Sequence, residues 1–156
     1  MKNRNQIITV AKKTIDTESK AIKNLIDLID DSFADAIEYI YNSNGRVIIT
    51  GIGKSAIIAT KIVATLNSTG TPSIFMHAAD AIHGDLGTIL DDDVVICISK
   101  SGNTPEIKVL VPLIKSRGNK LIAITSNKES FLGEQADFIL NAYVKKEACP
   151  NNLAPT

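Results

Sequence analysis

Apolar residues recur at helical spacing from residue 7 to residue 29, where Ile22, Leu25, Ile26, Leu28 and Ile29 widen into a broad stripe. The pattern predicts a long amphipathic helix wide enough to pack against a neighbour. A second helix is expected from Asp31 or Ser32, either of which can cap it, through Phe33, Ile37 and Ile40 to Asn44-Gly45, where a left-handed residue ends helices cheaply. The period then changes. Val47-Ile48-Ile49-Thr50, Ser73-Ile74-Phe75-Met76, Val94-Val95-Ile96-Cys97-Ile98, Leu121-Ile122-Ala123-Ile124 and Phe138-Ile139-Leu140 are short apolar runs rich in β-branched residues. Runs of this kind, apolar throughout and not alternating, predict strands buried on both faces.

Helical spacing between the strands, at residues 56–66, 107–114 and 130–136, completes an alternation that gives a parallel sheet covered on both sides. Ligands of such open sheets bind beyond the carboxyl ends of the strands, near a switch point in strand order. The segments to inspect therefore follow Thr50, Met76, Ile98, Thr125 and Leu140.

The bulk properties narrow the function classes. At 156 residues the chain is one domain in size and buries roughly 70% of its unfolded surface. Seventeen basic residues balance seventeen acidic ones and lie dispersed, so no electrostatic footprint for nucleic acid exists. A small anion could still be held by backbone amides and one Lys. Cys97 and Cys149 suggest neither a disulfide framework nor a zinc site, and no run is long enough for a signal peptide or a membrane span. The expectation is a reduced, cytoplasmic protein with no membrane partner.

The turn Gly51-Ile52-Gly53-Lys54-Ser55-Ala56 joins a buried strand to a helix. A nucleoside triphosphate loop would need Gly at position 48, which is Ile48. Gly51, Gly53 and Ala56 satisfy a dinucleotide fingerprint, but the acidic residue expected after the next strand is replaced by His77. A plain tight turn explains the glycines and not Lys54. A Lys in a first helical turn opposes the macrodipole and loses ~0.3–1 kcal/mol unless an anion answers it.

A second turn, Ser99-Lys100-Ser101-Gly102-Asn103-Thr104, precedes a helix opening with Pro105 and Glu106. Ser99, Ser101 and Thr104 can each donate to a phosphate oxygen beside unpaired helix amides. Thr104-Pro105-Glu106 is equally an ordinary helix start, with Thr as cap and Pro in the first position.

Ser99-x-Ser101-Gly102-x-Thr104, paired with Gly51-x-Gly53-Lys54-Ser55, resembles the phosphosugar-binding signature of sugar isomerase (SIS) domains. Leu66-Asn67-Ser68-Thr69-Gly70-Thr71-Pro72, Ile82-His83-Gly84-Asp85-Leu86-Gly87, Lys146-Glu147-Ala148-Cys149-Pro150 and Leu153-Ala154-Pro155-Thr156 resemble the arabinose 5-phosphate isomerases of the lipopolysaccharide sugar pathway. The likeness runs from about Gly45 to the end. It implies an α/β fold, a three-layer αβα sandwich with a five-stranded, flavodoxin-like parallel sheet, as a single domain with a helical part at 1–44 and a phosphosugar-binding part at 45–156.

The resemblance also implies a homotetramer whose site is shared between subunits, and a sugar phosphate substrate. Lys54, Glu106 and Glu147 fall on three of four catalytic positions. Gly53, Ser55, Gly70, Thr71, His77, His83, Ser99, Ser101, Thr104 and Lys145 fall on the substrate-binding segments, with residues 109–118 and 143–145. No cofactor is required. His77 matches a position that can hold zinc, which inhibits more than it assists.

These residue types suit aldose–ketose isomerisation, which needs a base beside a carbonyl and a cation or donor on the enediolate oxygen. The expectation gives Glu147 or Glu106 the base role and Lys54 the oxyanion. Glu147 is otherwise a solvated charge beside Lys145 and Lys146. Relatives continue past Thr156 with a further helix, the fourth catalytic position (a His) and often a regulatory domain pair, so a fragment inactive alone is expected. The rival expectation is a phosphosugar sensor without catalysis, which the absence of a basic helix-turn-helix before the domain disfavours.

Overall fold

A computed structural model describes residues 3–149 and 151. The chain forms two compact units, one built around the first helix and the segment from Tyr143 onward, the other spanning Ile29–Ala142.

In the first unit, α1 spans Arg4–Asn24 and starts with a reciprocal cap. Asn3 Oδ1 accepts from the Gln6 N–H at 2.9 Å while Gln6 Oε1 accepts from the Asn3 N–H at 3.0 Å. The predicted helix is shorter than its apolar stripe, because Leu25–Leu28 tighten into a 3-10 turn. No residue of α1 is buried, and Ile7, Ile8, Ile15 and Ile22 stay exposed.

In the second unit, α2 runs Asp31–Asn42, capped by Asp30 and not by Asp31 or Ser32. The Ser32 hydroxyl is engaged elsewhere, accepting from the Ile139 N–H at 2.8 Å. Nor does a left-handed residue end α2, since Ser43 closes it in extended conformation and Gly45 lies outside the positive-φ glycines. Gly45 is required for closeness, as a Cβ there would lie 2.0 Å from the Asp92 carbonyl oxygen.

Then follow β1 (Val47–Gly51), α3 (Lys54–Ser68), β2 (Ser73–His77), α4 (Ala78–Ile82), a 3-10 turn at Asp85–Thr88, β3 (Val94–Ile98), α5 (Pro105–Ser116), β4 (Leu121–Thr125), α6 (Phe131–Gln135) and β5 (Phe138–Asn141). All four strand pairings are parallel and the order is β2-β1-β3-β4-β5. The sandwich and its flavodoxin-like order match the expectation.

The pleat sorts side chains between two cores. Ile48, Val95, Cys97, Leu121 and Ala123 face α4, α5 and α6 with Ile107, Leu110, Val111 and Ile114. Val47, Ile49, Val94, Ile96 and Ile122 face the opposite way, toward α2 and α3 with Ala36 and Ala59. Only β1, β3 and β4 are buried nearly throughout. The edge strands β2 and β5, expected to be equally buried, are largely half-exposed, because each has one neighbour and incomplete helical cover.

Candidate functional site

Right-handed crossovers carry the chain from β1 to β2 on one side of the sheet and from β3 to β4 on the other. Hence α3 packs in one core and α5 in the other, and the turns after β1 and β3 part to leave a crevice between two neighbouring strands. Gly51 and Ile98 end those strands in register. A cleft of about 390 Å³ opens above them, lined by Ile52, Ser55, Ser99, Lys100, Ser101, Thr104 and Ser126.

Each wall has a local cause. Gly53 caps α3 at φ 58°, ψ −126°, a combination close to glycine's own territory, with open space where a Cβ would stand. It turns the backbone so that Lys54 and Ser55 become the first two residues of α3. On the other wall, Ser99 is 4% exposed, and its N–H donates to the Ile124 carbonyl at 3.0 Å. Its hydroxyl accepts from the Gly102 N–H at 3.2 Å, bending the turn back over the strand end. Ser101 Oγ accepts from the Asn103 N–H at 3.3 Å.

Thr104 begins α5 with Pro105 in the first helical position. Its side chain forms no cap bond, and Thr104 Oγ1, shielded from water, has no hydrogen-bond partner among the described residues. An unmatched buried hydroxyl is costly unless something completes it. A hydroxyl-rich cleft at two helix starts suits a small anion, above all a phosphate monoester.

The structure therefore brings together Gly53, Ser55, Ser99, Ser101 and Thr104. Lys54 and Glu106 stand beside them in the first turns of α3 and α5, Lys54 exposed and Glu106 half-buried. His77 ends β2, paired with Gly51. Its Nδ1 lies 3.7 Å from Asp80 Oδ2. His83 is the exposed residue that closes α4.

Gly70 and Thr71 are not brought to the cleft within one chain. They turn from α3 into β2, and so lie at the amino edge of the parallel sheet. Glu147 and Lys145 belong to the first unit, where Glu147 lines a cavity of about 250 Å³ with Val10, Lys13, Thr14, Thr17, Lys146 and Ala148.

Within one chain the described donors around His77 do not by themselves make up a zinc site. Among the described residues no group of three or more His, Cys, Asp or Glu side chains converges, and one imidazole beside an exposed carboxylate falls short of zinc's usual four ligands. Cys97 takes no part either, since burial alone pushes its thiol up to about 12. Sequence reasoning missed Ile52, Lys100 and Ser126 as cleft residues. The signal for Ser126 was its place directly after a buried parallel strand.

Among the described residues no helix is long and apolar enough to cross a membrane. The SIS domain family matches residues 39–156. Arabinose 5-phosphate isomerase KdsD of Pseudomonas aeruginosa is 51% identical over 94% of this chain and 45% of its own length. Arabinose 5-phosphate isomerase KpsF of Escherichia coli O6:H1 is 48% identical over 96% of this chain and 46% of its own. An Escherichia coli CFT073 protein, solved in complex with arabinose 5-phosphate, superposes with a TM-score of 0.94 at 42% identity, covering 99% of this chain and 82% of the other. The chain spans about half the length of these curated relatives. By the matched region and by its identity to relatives named arabinose 5-phosphate isomerase, the chain belongs to the SIS domain family.

Proposed function

We propose that this domain is the catalytic part of an aldose–ketose isomerase that interconverts D-ribulose 5-phosphate and D-arabinose 5-phosphate for the Kdo branch of lipopolysaccharide biosynthesis. The observation that carries the reading is the cleft between β1 and β3, where Thr104 Oγ1 is left without a partner beside Ser55, Ser99 and Ser101. Relatives bearing the isomerase name, and a similar structure holding arabinose 5-phosphate, support the choice of sugar phosphate.

In this reading the phosphate seats on the turn at residues 99–104 and the start of α3, with Gly70, Thr71, His77, His83 and Lys145 contacting sugar in the assembled enzyme. Glu147 or Glu106 takes a proton from the first carbon of the ketose. The enediolate that forms carries its charge on oxygen, where Lys54 answers it. Returning the proton to the second carbon, with a hydroxyl proton passing between the two oxygens, gives the aldose. Side chains alone supply the acid, the base and the cation, and no step is assigned to a metal.

The assembly is a cytoplasmic homotetramer. Ile8, Ile15 and Ile22 of α1 recur every seven residues and are all exposed, as are Ile57 and Ile58 of α3, a distribution suited to burial against further copies.

The test is ribulose 5-phosphate with the natural full-length protein in deuterated water. Deuterium is expected at the second carbon of the arabinose 5-phosphate formed. Saturable binding with neither exchange nor product would replace the isomerase by a sensor.

A further inference from the structure

We propose that Asn103 is a positioning residue, a clasp that holds the turn at residues 99–104 in its binding shape by fastening it to the start of α6 before any ligand arrives. This inference rests on the phosphate reading of that turn. Asn103 Oδ1 accepts from the Phe131 N–H at 3.1 Å, while Asn103 Nδ2 donates to the Ser101 carbonyl at 3.2 Å. One side chain thus links the turn both to itself and to a separate element.

The neighbouring bonds show why a clasp matters here. The Gly102 carbonyl accepts from the Leu132 N–H at 3.0 Å, and the Lys100 carbonyl accepts from the Ser126 N–H at 3.0 Å and from Thr125 Oγ1 at 3.2 Å. The first N–H groups of a helix have no partner within it. Ser130 caps the Gly133 N–H, and the turn supplies acceptors for Phe131 and Leu132. The approach is close enough to demand glycine. Gly102 has φ 66°, and a Cβ on it would stand 1.9 Å from Ser130 Oγ.

The carbonyls of Lys100 and Gly102 are therefore already occupied, and the hydroxyls of Ser101 and Thr104 remain able to donate to the ligand. Asn103 is itself exposed, so replacing it disturbs no core. Without the clasp only a fraction of molecules holds the turn correctly, and apparent affinity falls by that fraction while the bound complex reacts as before.

The experiment compares the natural full-length protein with Asn103→Ala and Asn103→Asp, using inorganic phosphate and sugar phosphate as ligands. Asn103→Ala is expected to raise KM and the Kd for inorganic phosphate about tenfold, with kcat within about twofold and Tm lowered by no more than about 6 °C. Amide exchange at Phe131 is expected to quicken in free Asn103→Ala and to slow again at saturating phosphate. Asn103→Asp keeps an acceptor for Phe131 and is expected to keep its protection in the free protein. A wild type that binds no phosphate overturns the phosphate reading and this inference with it. Wild-type binding with an unaffected Asn103→Ala variant, or equally fast Phe131 exchange in both variants, overturns this inference alone.

Discussion

At the amino edge of the sheet Asp93, almost fully buried, accepts from Arg46 Nη2 at 2.6 Å and Nε at 3.1 Å and from the N–H groups of Arg46 and Leu90. Beside it Asn119 Nδ2 donates to the carbonyls of Leu90 and Asp93, and Asp137 joins Lys115, Lys120 and the Leu121 N–H. At the carboxyl edge of the same strands lies a hydroxyl-lined cleft in which Thr104 Oγ1 has no partner among the described residues, whereas at the amino edge only Asn119 Oδ1 of the side-chain atoms named is left unpartnered. The same strands thus end in fastened ion pairs at one edge and in a cleft with one unmatched hydroxyl at the other. The difference teaches that the two ends answer to different demands. Ion pairs at the amino edge stabilise the fold, whereas the unmatched Thr104 hydroxyl at the carboxyl edge is left to meet the anion proposed above.

Substitutions should separate the two edges. Lys54→Ala is expected to lower turnover by about 10²–10³, the worth of one group aimed at a developing oxyanion, while Tm stays put. Retained turnover in steady-state assays would remove Lys54 from the chemistry. Asp93→Ala should do the reverse. It strands the Arg46 guanidinium and two N–H groups, at a cost of about 3 kcal/mol, the lower end for a buried pair because Arg46 keeps some solvent. For a chain of this size that lowers Tm by roughly 6–12 °C. Inorganic phosphate should still bind, and a variant that melts normally but no longer binds would invert the comparison.

Thr104→Val makes a sharper cut, since it deletes a hydroxyl that the free protein leaves unmatched. Affinity for phosphate is expected to fall about fivefold, near 1 kcal/mol, while Tm holds or rises slightly. A fall in Tm with unchanged affinity would mean the hydroxyl serves the fold.

The smallest effect concerns acid. Burial opposes the charges of Asp93 and Asp137, but hydrogen bonds outweigh it, from Arg46 and two N–H groups at Asp93 and from the two lysines and the Leu121 N–H at Asp137. Both carboxyls are held below the ordinary value, so they bind fewer protons folded than unfolded. Their contribution is complete above about pH 4 and is lost as pH falls through the lower folded values. Wild-type stability should therefore decline only below about pH 4, and the Asp93→Ala denaturation midpoint should depend less on pH there.

Much of this was legible in the residues. Val47-Ile48-Ile49 and Val94-Val95-Ile96 read as buried strands because central parallel strands leave no face for polar side chains. Both glycine- and serine-bearing turns were readable because their chemistry is local. The helix α4 was not, since five residues are too few to show a period, and only the burial of Ala78 and Ala81 in the core shared with α5 makes them helical. The cap of α2 escaped notice for a related reason. Asp30, Asp31 and Ser32 are all competent caps, and a distant strand that claims Ser32 decided among them. Asn103 looked like filler between motif residues, and its partner at Phe131 is 28 positions away.

By itself the sequence determined which stretches become strands and helices and which turns carry hydroxyls, amides and lysines, because periodicity and turn chemistry act over a few residues. Tertiary structure decided that the turns after β1 and β3 face one another, that Gly70 and Thr71 lie at the far edge, and that α6 completes the turn beside it. The physical reason is the switch in strand order. Crossovers of one hand, leaving neighbouring strands in opposite directions, open a crevice that no local pattern encodes.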